Sequence, residues 1–500
     1  MTVRSKKLGK KNTAVKPQNK YNTPQIRWRR IGAKYIVTND FGRYIVIGEK
    51  DFNNLLANKI KSDDKLYPLI ASNGFIKNNM DFGDLWSSWQ KLNSYVFQGP
   101  SLHILVLTLR CNYKCVYCQS GSMNEDAKNM DMSWKTAKKS IDTAFESNVN
   151  NLSVEFQGGE PLMNWDVLKK SVTYIKECEK KSGKKANIAL VSNFSLMDQE
   201  KAKFLMENEV SLCTSLDGFE KLNNKLRVYP NGNSYKKAAS WIKYLTDKYN
   251  SQHGNMFKIF KPSALTTITK ETLPFYKEIV DEYLNLNLET IFLRPLSPIG
   301  FARKSWNKIG YNSDEFLKFY EKAFDYIISL NKKGIMIKEK MAEMLLKKII
   351  KNEDPGYVDL RCPCGAGTGQ LAYNYNGDIY TCDEGRMIGW EGEELFKIGN
   401  INDMTYEDII NSDTVKLCSL SSNLESQVMC HKCVYRPYCG ICPAINFEEE
   451  RSTVGNNIIS ERCKIFMGIF DIIFNRIGKK DCYDVFNKWL SYEEKTKGDK

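Results

Sequence analysis

The sequence predicts an α/β protein, a partial (β/α)6 barrel with a cysteine-rich domain after it and a small α+β module before it. Three observations predict it. From Leu102 onward short apolar strands alternate with helical patterns, and each strand ends in turn chemistry. From Arg361 to Cys463 the composition shifts to loops, glycine and nine of the 15 cysteines. Between Trp28 and about Gln98, two strand-like runs flank a turn and are followed by a helical pattern.

Each element has its own signal. Residues 1–30 hold ten Lys or Arg and no Asp or Glu, so the net charge of +14 falls to +4 over the other 470 residues. Residues 1–27 therefore read as a basic, disordered, solvated tail, with contact to an acidic partner as the alternative. The charge does not mark a basic groove, which argues against nucleic acid as a partner. In the module at 28–98, "KYIVTND" and "RYIVIGE" surround "NDFG" as a hairpin would, and "EKDFNNLLANKI" reads as a short helix. In the barrel, 99–300, strands are expected at 103–109, 152–156, 187–192, 211–216, 263–268 and 290–294. Helices are expected near 133–147, 164–181, 198–208, 234–249 and 271–286. Six units are too few to close an eight-fold barrel. In such sheets chemistry sits at the carboxyl ends of the strands. Residues 301–360 form a helical connection, with helices near 313–330 and 334–351. The cysteine-rich domain takes 361–465, and a C-terminal helix and tail take 466–500.

Hydrophobic content of 42% and charged content of 26% are those of a globular protein. No apolar run reaches about 18 residues, so no membrane span is expected. The N-terminus lacks the apolar stretch of a secretory signal, which implies a cytoplasmic protein. In a reducing compartment 15 cysteines point to metal binding or catalysis rather than disulfides. The histidines are His103, His253 and His431 alone. Thiolate ligation with so little imidazole favours iron–sulfur or zinc.

"TLRCNYKCVYCQSG" puts Cys111, Cys115 and Cys118 in the loop after the first barrel strand. A closed zinc site wants a fourth ligand nearby, and no Cys or His follows within fifty residues. Three thiolates on a four-iron cluster would leave one iron open to another ligand. The alternatives are a zinc knuckle and three unrelated buried thiols.

C-x3-C-x2-C after the first strand, with Tyr117 before the last cysteine, resembles the signature of the radical S-adenosylmethionine (SAM) superfamily. The resemblance implies that SAM chelates the open iron. Reductive cleavage would then give a 5′-deoxyadenosyl radical that takes a hydrogen atom from substrate, while the protein positions the cofactors and excludes water. The other strand ends fit the same family. "EFQGGEP" supplies Gly158, Gly159 and Glu160, a glycine-rich element that would receive the SAM amino group. "LVSNFS" offers Ser192 and Asn193 for ribose hydroxyls, and "SLDG" offers Ser215. Arg227 follows twelve residues later and would pair with the SAM carboxylate. Leu293 in "FLRPL" lies where relatives pack the adenine.

"CHKCVYRPYCGIC" is C-x2-C-x5-C-x2-C, with Cys463 twenty residues on, and Gly377 stands five positions before Cys382. This resembles the SPASM extension of radical SAM peptide-modifying enzymes, which implies two auxiliary clusters and three [4Fe–4S] clusters in all. By analogy Cys362, Cys364, Cys382 and Cys442 hold the first auxiliary cluster, and Cys430, Cys433, Cys439 and Cys463 the second. The family's usual gap before the last cysteine of the run is three residues, and here it is two, which bears on how the ligands divide. Two four-thiolate zinc centres are the alternative. Cys178, Cys213, Cys418 and Cys482 lack partners at ligand spacing and read as small core residues. His103 reads as packed and His431 as facing solvent. Asp383, directly after Cys382, matches the proposed general base of the sulfatase-maturing branch, and Glu384 is next to it.

The group most similar is the His-Xaa-Ser system radical SAM maturase, on the N-terminal module, "LRCNYKCVYCQ" and "CVYRPYCGICP". The resemblance implies a peptide or protein substrate encoded nearby, and the chemistry implies a low-potential electron donor such as ferredoxin or flavodoxin. A leader peptide would dock on 28–98 by adding a strand. An anaerobic sulfatase maturase forming formylglycine is the alternative within the class. A radical enzyme acting on a small molecule is another, and a zinc-stabilised nucleic-acid-binding protein is the alternative outside the class.

Overall fold

The computed structural model of the protein describes residues 23–252, 257–457 and 459–498. Most of the basic tail and His253 lie outside the described residues.

Six parallel strands follow one another in chain order, Leu102–Thr108, Asn151–Gly158, Lys185–Val191, Val210–Ser215, Ser263–Ile268 and Leu293–Pro295. Register pairs such as Val154↔Ile188, Leu212↔Leu190 and Thr266↔Leu293 fix their order. On the second strand Leu152, Val154 and Phe156 pack with Ile141, Leu168, Val172 and Ile175 of the helices Trp134–Glu146 and Trp165–Ser182. Alternation then turns Ser153, Glu155 and Gln157 to the inner face of the curved sheet. That inner face opens at the strands' carboxyl ends, as expected of a partial barrel.

The sheet does not stop at the first strand. Gln370–Tyr373 pairs parallel with it, and Asp378–Tyr380 and Lys397–Asn400 continue antiparallel, giving nine strands. An open barrel leaves the apolar edge of "HILVL" unpaired, and the cysteine-rich region covers it. The sequence signal for this was "YNYNGDIY", a strand–turn–strand pattern around Asn376 and Gly377. His103 on the first strand is fully buried, with Nδ1 3.1 Å from the Tyr373 hydroxyl and Nε2 3.3 Å from the Pro100 carbonyl.

Burial lowers the His103 pKa to about 4, whereas an unfolded histidine titrates near 6.5. Between those values only the unfolded chain takes the proton. His103 therefore contributes stability above about pH 6.5 that is lost as pH falls toward 4, at about 1.4 kcal/mol per pH unit. Comparing pH-dependent unfolding of wild type and His103→Asn checks this. The variant should lack that slope, and equal slopes would count against it.

The N-terminal module is a three-stranded antiparallel sheet, Ile26–Ile31, Lys34–Asn39 and Tyr44–Gly48, followed by helices Glu49–Leu56 and Phe82–Leu92. The hairpin and short helix match expectation. The first strand, "IRWRRI", is disguised by its arginines, which reach ion partners rather than solvent alone. Arg29 forms a two-pronged bond with Asp471 at 3.0 Å, and Arg27 lies 2.8 Å from Asp40. Thr38 Oγ1 donates to the Val434 carbonyl and the Tyr438 hydroxyl to the Gly42 carbonyl, fastening the module to the cysteine run.

The helices Ser313–Lys332, Glu461–Ile477 and Lys480–Gly498 share one apolar core with the last barrel units. The helix expected over 334–351 is broken up. Lys338–Glu339 forms a short strand with Thr290–Ile291, and the helix runs Lys340–Leu346 with a wider turn at Lys347–Lys351. Buried Glu339 causes the break: it caps the helix by accepting from the Met341 and Ala342 amides and also takes the Leu293 amide. Among the described residues no helix is long and apolar enough to cross a membrane.

Candidate functional site

The three-thiol loop is pinned chiefly by backbone pairing. Arg110–Cys111 pairs with Met123–Asn124, and Lys114–Cys115 pairs with Arg227–Val228. Gly158 and Gly159 hold the second strand's end against the loop. A Cβ at Gly158 would overlap the Thr108 carbonyl, and one at Gly159 the Leu109 and Arg110 carbonyls. The room these two glycines leave is taken by the loop backbone itself.

Cys111, Cys115 and Cys118 lie together near the Glu160 and Arg227 side chains. Burial pushes the Cys115 thiol up to about 12, although Arg227 counteracts it, and burial raises Cys111 too. Bare thiolates are disfavoured there, and iron would displace the protons. The Tyr113 hydroxyl, near Glu160, Cys115 and Arg227, is buried without a hydrogen-bond partner among the described residues. Among the described residues no three Cys, His, Asp or Glu side chains stand as ligands of one metal ion. One thiolate per iron is instead the donor set a four-iron cluster takes.

Around this loop the structure uses the expected contact residues partly among themselves. Glu160 is fully buried and accepts from Ser192 Oγ (2.7 Å), the Asn193 amide (2.8 Å) and the Leu162 amide (3.0 Å). Burial raises its pKa to about 7 against those bonds. Asn193 Nδ2 donates to Asn112 Oδ1, and Asn112 Nδ2 donates to Ser195. Ser192 and Asn193, expected to serve ribose hydroxyls, are therefore hydrogen-bonded into the walls of the site. Arg227 Nε lies 2.9 Å from Asp217 Oδ2, and its guanidinium stands 5.3 Å from the Tyr117 ring. The Tyr117 hydroxyl donates to the same Asp217 carboxylate. The expected carboxylate-binding arginine is thus positioned by an acid and an aromatic ring. Ser215 ends the fourth strand, half-buried on the inner face, and Leu293 is buried in the sixth.

The C-terminal domain faces the loop across the barrel mouth. Asp383 opens the helix Asp383–Gly389, and its Oδ1 accepts from Arg386 Nε at 2.8 Å. Arg386 Nη1 also donates to the Ser120 carbonyl, two residues beyond Cys118. Gly121 packs so tightly on Trp390 that a side chain there would overlap the indole. Glu384 lies 3.4 Å from Arg294 at the end of the sixth strand. Burial, with Asp359 adding to it and Arg294 opposing, raises Glu384 to about 7. Glu155 is close enough to Asp383 and Arg294, and Arg294 to Asp383 and Glu384, for their charges to interact. Arg386 escaped the sequence reading. Its signal was an Asp-x-x-Arg pair one helical turn apart.

Cys430, Cys433, Cys439 and Cys463, the expected second set, line a single cavity with Arg462, Phe466 and Phe470, and Cys442 lines it too. Cys364, Cys382 and Cys442 are brought together in another apolar cluster. Cys362 is not brought to them. Its sulfur accepts the Leu424 amide at 3.3 Å, on the side of Cys430 and Lys348. His431 is half-buried, with Nδ1 3.3 Å from the Gln427 carbonyl, rather than fully solvated.

Residues 105–260 match the Radical SAM superfamily, and residues 362–434 match SPASM, the iron-sulfur cluster-binding domain. An uncharacterized protein of Methanocaldococcus jannaschii is 29% identical over 301 residues, 60% of this chain and 88% of that one. A cysteine-type anaerobic sulfatase-maturating enzyme of Clostridium novyi is 25% identical over 346 residues, 68% of this chain and 86% of its own. In fold, native anSMEcpe with bound AdoMet superposes with a TM-score of 0.63 at 20% identity, covering 77% of this chain and 99% of that one. Streptococcus suis SuiB bound to precursor peptide SuiA gives 0.52 at 16%, covering 86% and 97%. The thiol loop at the mouth of a six-stranded partial barrel, faced by a second cysteine domain, agrees with these matches. The chain thus contains a radical SAM domain followed by a SPASM iron–sulfur cluster-binding domain.

Proposed function

We propose that this protein modifies residues of a peptide or protein substrate, encoded nearby, by radical chemistry that begins with reductive cleavage of SAM. The observation that carries the reading is the junction of the two domains: Arg386 links Asp383 to the loop of Cys111, Cys115 and Cys118, and Glu384 stands beside Arg294 of the barrel. SAM and three four-iron clusters, when bound, supply the one-electron and radical chemistry. Cys111, Cys115 and Cys118 would hold the cluster that takes SAM, and the C-terminal thiols the two auxiliary clusters. The chain's own work is positional. Arg227, oriented by Asp217 and Tyr117, presents positive charge to a carboxylate. Trp390 packs tightly on Gly121 at the end of the loop and walls it on that side. Asp383 accepts a proton from the substrate as it is oxidised.

A groove lined by Gly121, Gly300, Phe301, Arg303, Lys304 and Trp390 opens beside the loop and is the entry we assign to an extended substrate. The N-terminal sheet supports docking of a leader peptide, because the strand Tyr44–Gly48 pairs on one edge only among the described residues. The similarity of the whole fold to SuiB, whose structure includes its precursor peptide, favours this reading. The sulfatase-maturing alternative, oxidising Cys or Ser to formylglycine, draws on Asp383 following Cys382 and on the clostridial relatives. A low-potential donor such as ferredoxin or flavodoxin would reduce the clusters, and the setting is cytoplasmic.

Anaerobic incubation with SAM, a reductant and the peptide of a neighbouring reading frame tests the proposal. The expected result is a mass change on the peptide, with 5′-deoxyadenosine formed. Modification of a sulfatase-derived peptide alone would transfer the reading to formylglycine formation, and a colourless protein holding zinc would overturn it.

A further inference from the structure

The division of the C-terminal thiols carries an inference of its own, which rests on the SPASM reading. The expected fourth ligand of the first auxiliary cluster, Cys362, points elsewhere. Leu424, whose amide it takes, lines the cavity of Cys430, Cys433, Cys439 and Cys463. That cavity already has the four thiols of the second set, one for each iron of a cluster, and Cys442 borders it as well.

A different cysteine completes the first set. Cys418 lies on the helix Asp413–Ser421, fully buried, in the same apolar cluster as Cys364, Cys382 and Cys442. The Thr381 hydroxyl lies 3.8 Å from Cys418 Sγ and 4.0 Å from Cys382 Sγ, so a single oxygen spans the two sulfurs. On the other side the Cys364 amide donates to Ser422 Oγ (2.9 Å), and that hydroxyl donates to the Cys418 carbonyl (2.6 Å). Gly367, at φ +76°, has no room for a Cβ against Val415, which presses the Cys364 loop onto the Cys418 helix. Cys418 is close enough to both Cys364 and Cys382 for their charges to interact.

We propose that Cys418, and not Cys362, is the fourth thiolate of the first auxiliary cluster, beside Cys364, Cys382 and Cys442. Each of the four thiols releases its proton to solvent and forms one sulfur–iron bond. Cys362 is then a thiol that borders the second set without serving it.

The test uses full-length holoprotein purified anaerobically, with iron and sulfide counted and the reduced auxiliary clusters followed by electron paramagnetic resonance. Wild type should hold about twelve irons. Cys418→Ala should lose up to four of them or, if a cluster persists on three thiolates, change its resonance signal. Cys362→Ala should keep all of them with an unchanged signal. An unaltered Cys418→Ala protein overturns the proposal, and so does loss of about four irons from Cys362→Ala. If Cys418→Ala does not fold, the Cys362→Ala protein decides alone, because the analogy makes its thiol indispensable and the proposal does not. A wild type without iron would instead sink the SPASM reading, a separate result.

Discussion

Replacing Cys111, Cys115 and Cys118 together with alanine takes SAM cleavage to background and leaves the protein with about eight of about twelve irons. The loop should survive the change. Its shape comes from the pairing of Cys115 with Arg227, of Cys111 with Asn124, and from the Met123 amide donating to the Leu109 carbonyl. None of these bonds uses sulfur. The auxiliary thiols gather in groups of side chains that contain none of these three cysteines, so their irons should remain. No other group replaces the lost ligands, because Ser120 and Ser122, the polar side chains beside Cys118, are weak donors for iron. Production of 5′-deoxyadenosine under strong reductant, with an iron count on the same sample, reads both halves. Residual cleavage would break the link between this loop and SAM. Loss of all the irons would show that the auxiliary domain depends on the loop for its fold.

Much of this arrangement was legible in the sequence because local patterns carried it. The strands of the barrel announce themselves by alternation, and "CNYKCVYC" by thiol spacing within one loop. What escaped depends on contacts between distant segments. "IRWRRI" conceals a strand because Arg27 and Arg29 satisfy their charge on Asp40 and Asp471, far along the chain. Gln370–Tyr373 is short, and its role, pairing with Leu102–Leu105, exists only once the barrel is left open. Ser192 and Asn193 carry polar groups suited to a ribose, but spacing could not say that Glu160 and Asn112 would engage them. Cys418 has no neighbour at ligand spacing, and a helix brings it to Cys364 and Cys382. Spacing identifies ligands that share a loop and misses those that share only a fold.

Asp383→Asn should cut product formation by about 10²- to 10⁴-fold, the range typical of a lost general base, while SAM cleavage continues. The substitution keeps the side chain's size and an oxygen for the Arg386 bond, so Arg386 should still hold the Ser120 carbonyl and the two domains their junction. What the amide cannot do is take a proton. The neighbour supplies the control. Glu384 is raised to about 7, chiefly by burial, and stands 3.4 Å from Arg294, whereas Asp383 is the anionic half of an ion pair with Arg386. Two adjacent carboxyls in unlike environments divide acid and base roles. Glu384→Gln should therefore weaken substrate handling less than Asp383→Asn weakens turnover. Measured together, the ratio of product to 5′-deoxyadenosine falls in the aspartate variant. If it falls only in the glutamate variant, the proton goes to Glu384 and the Arg386–Asp383 pair serves to join the two domains.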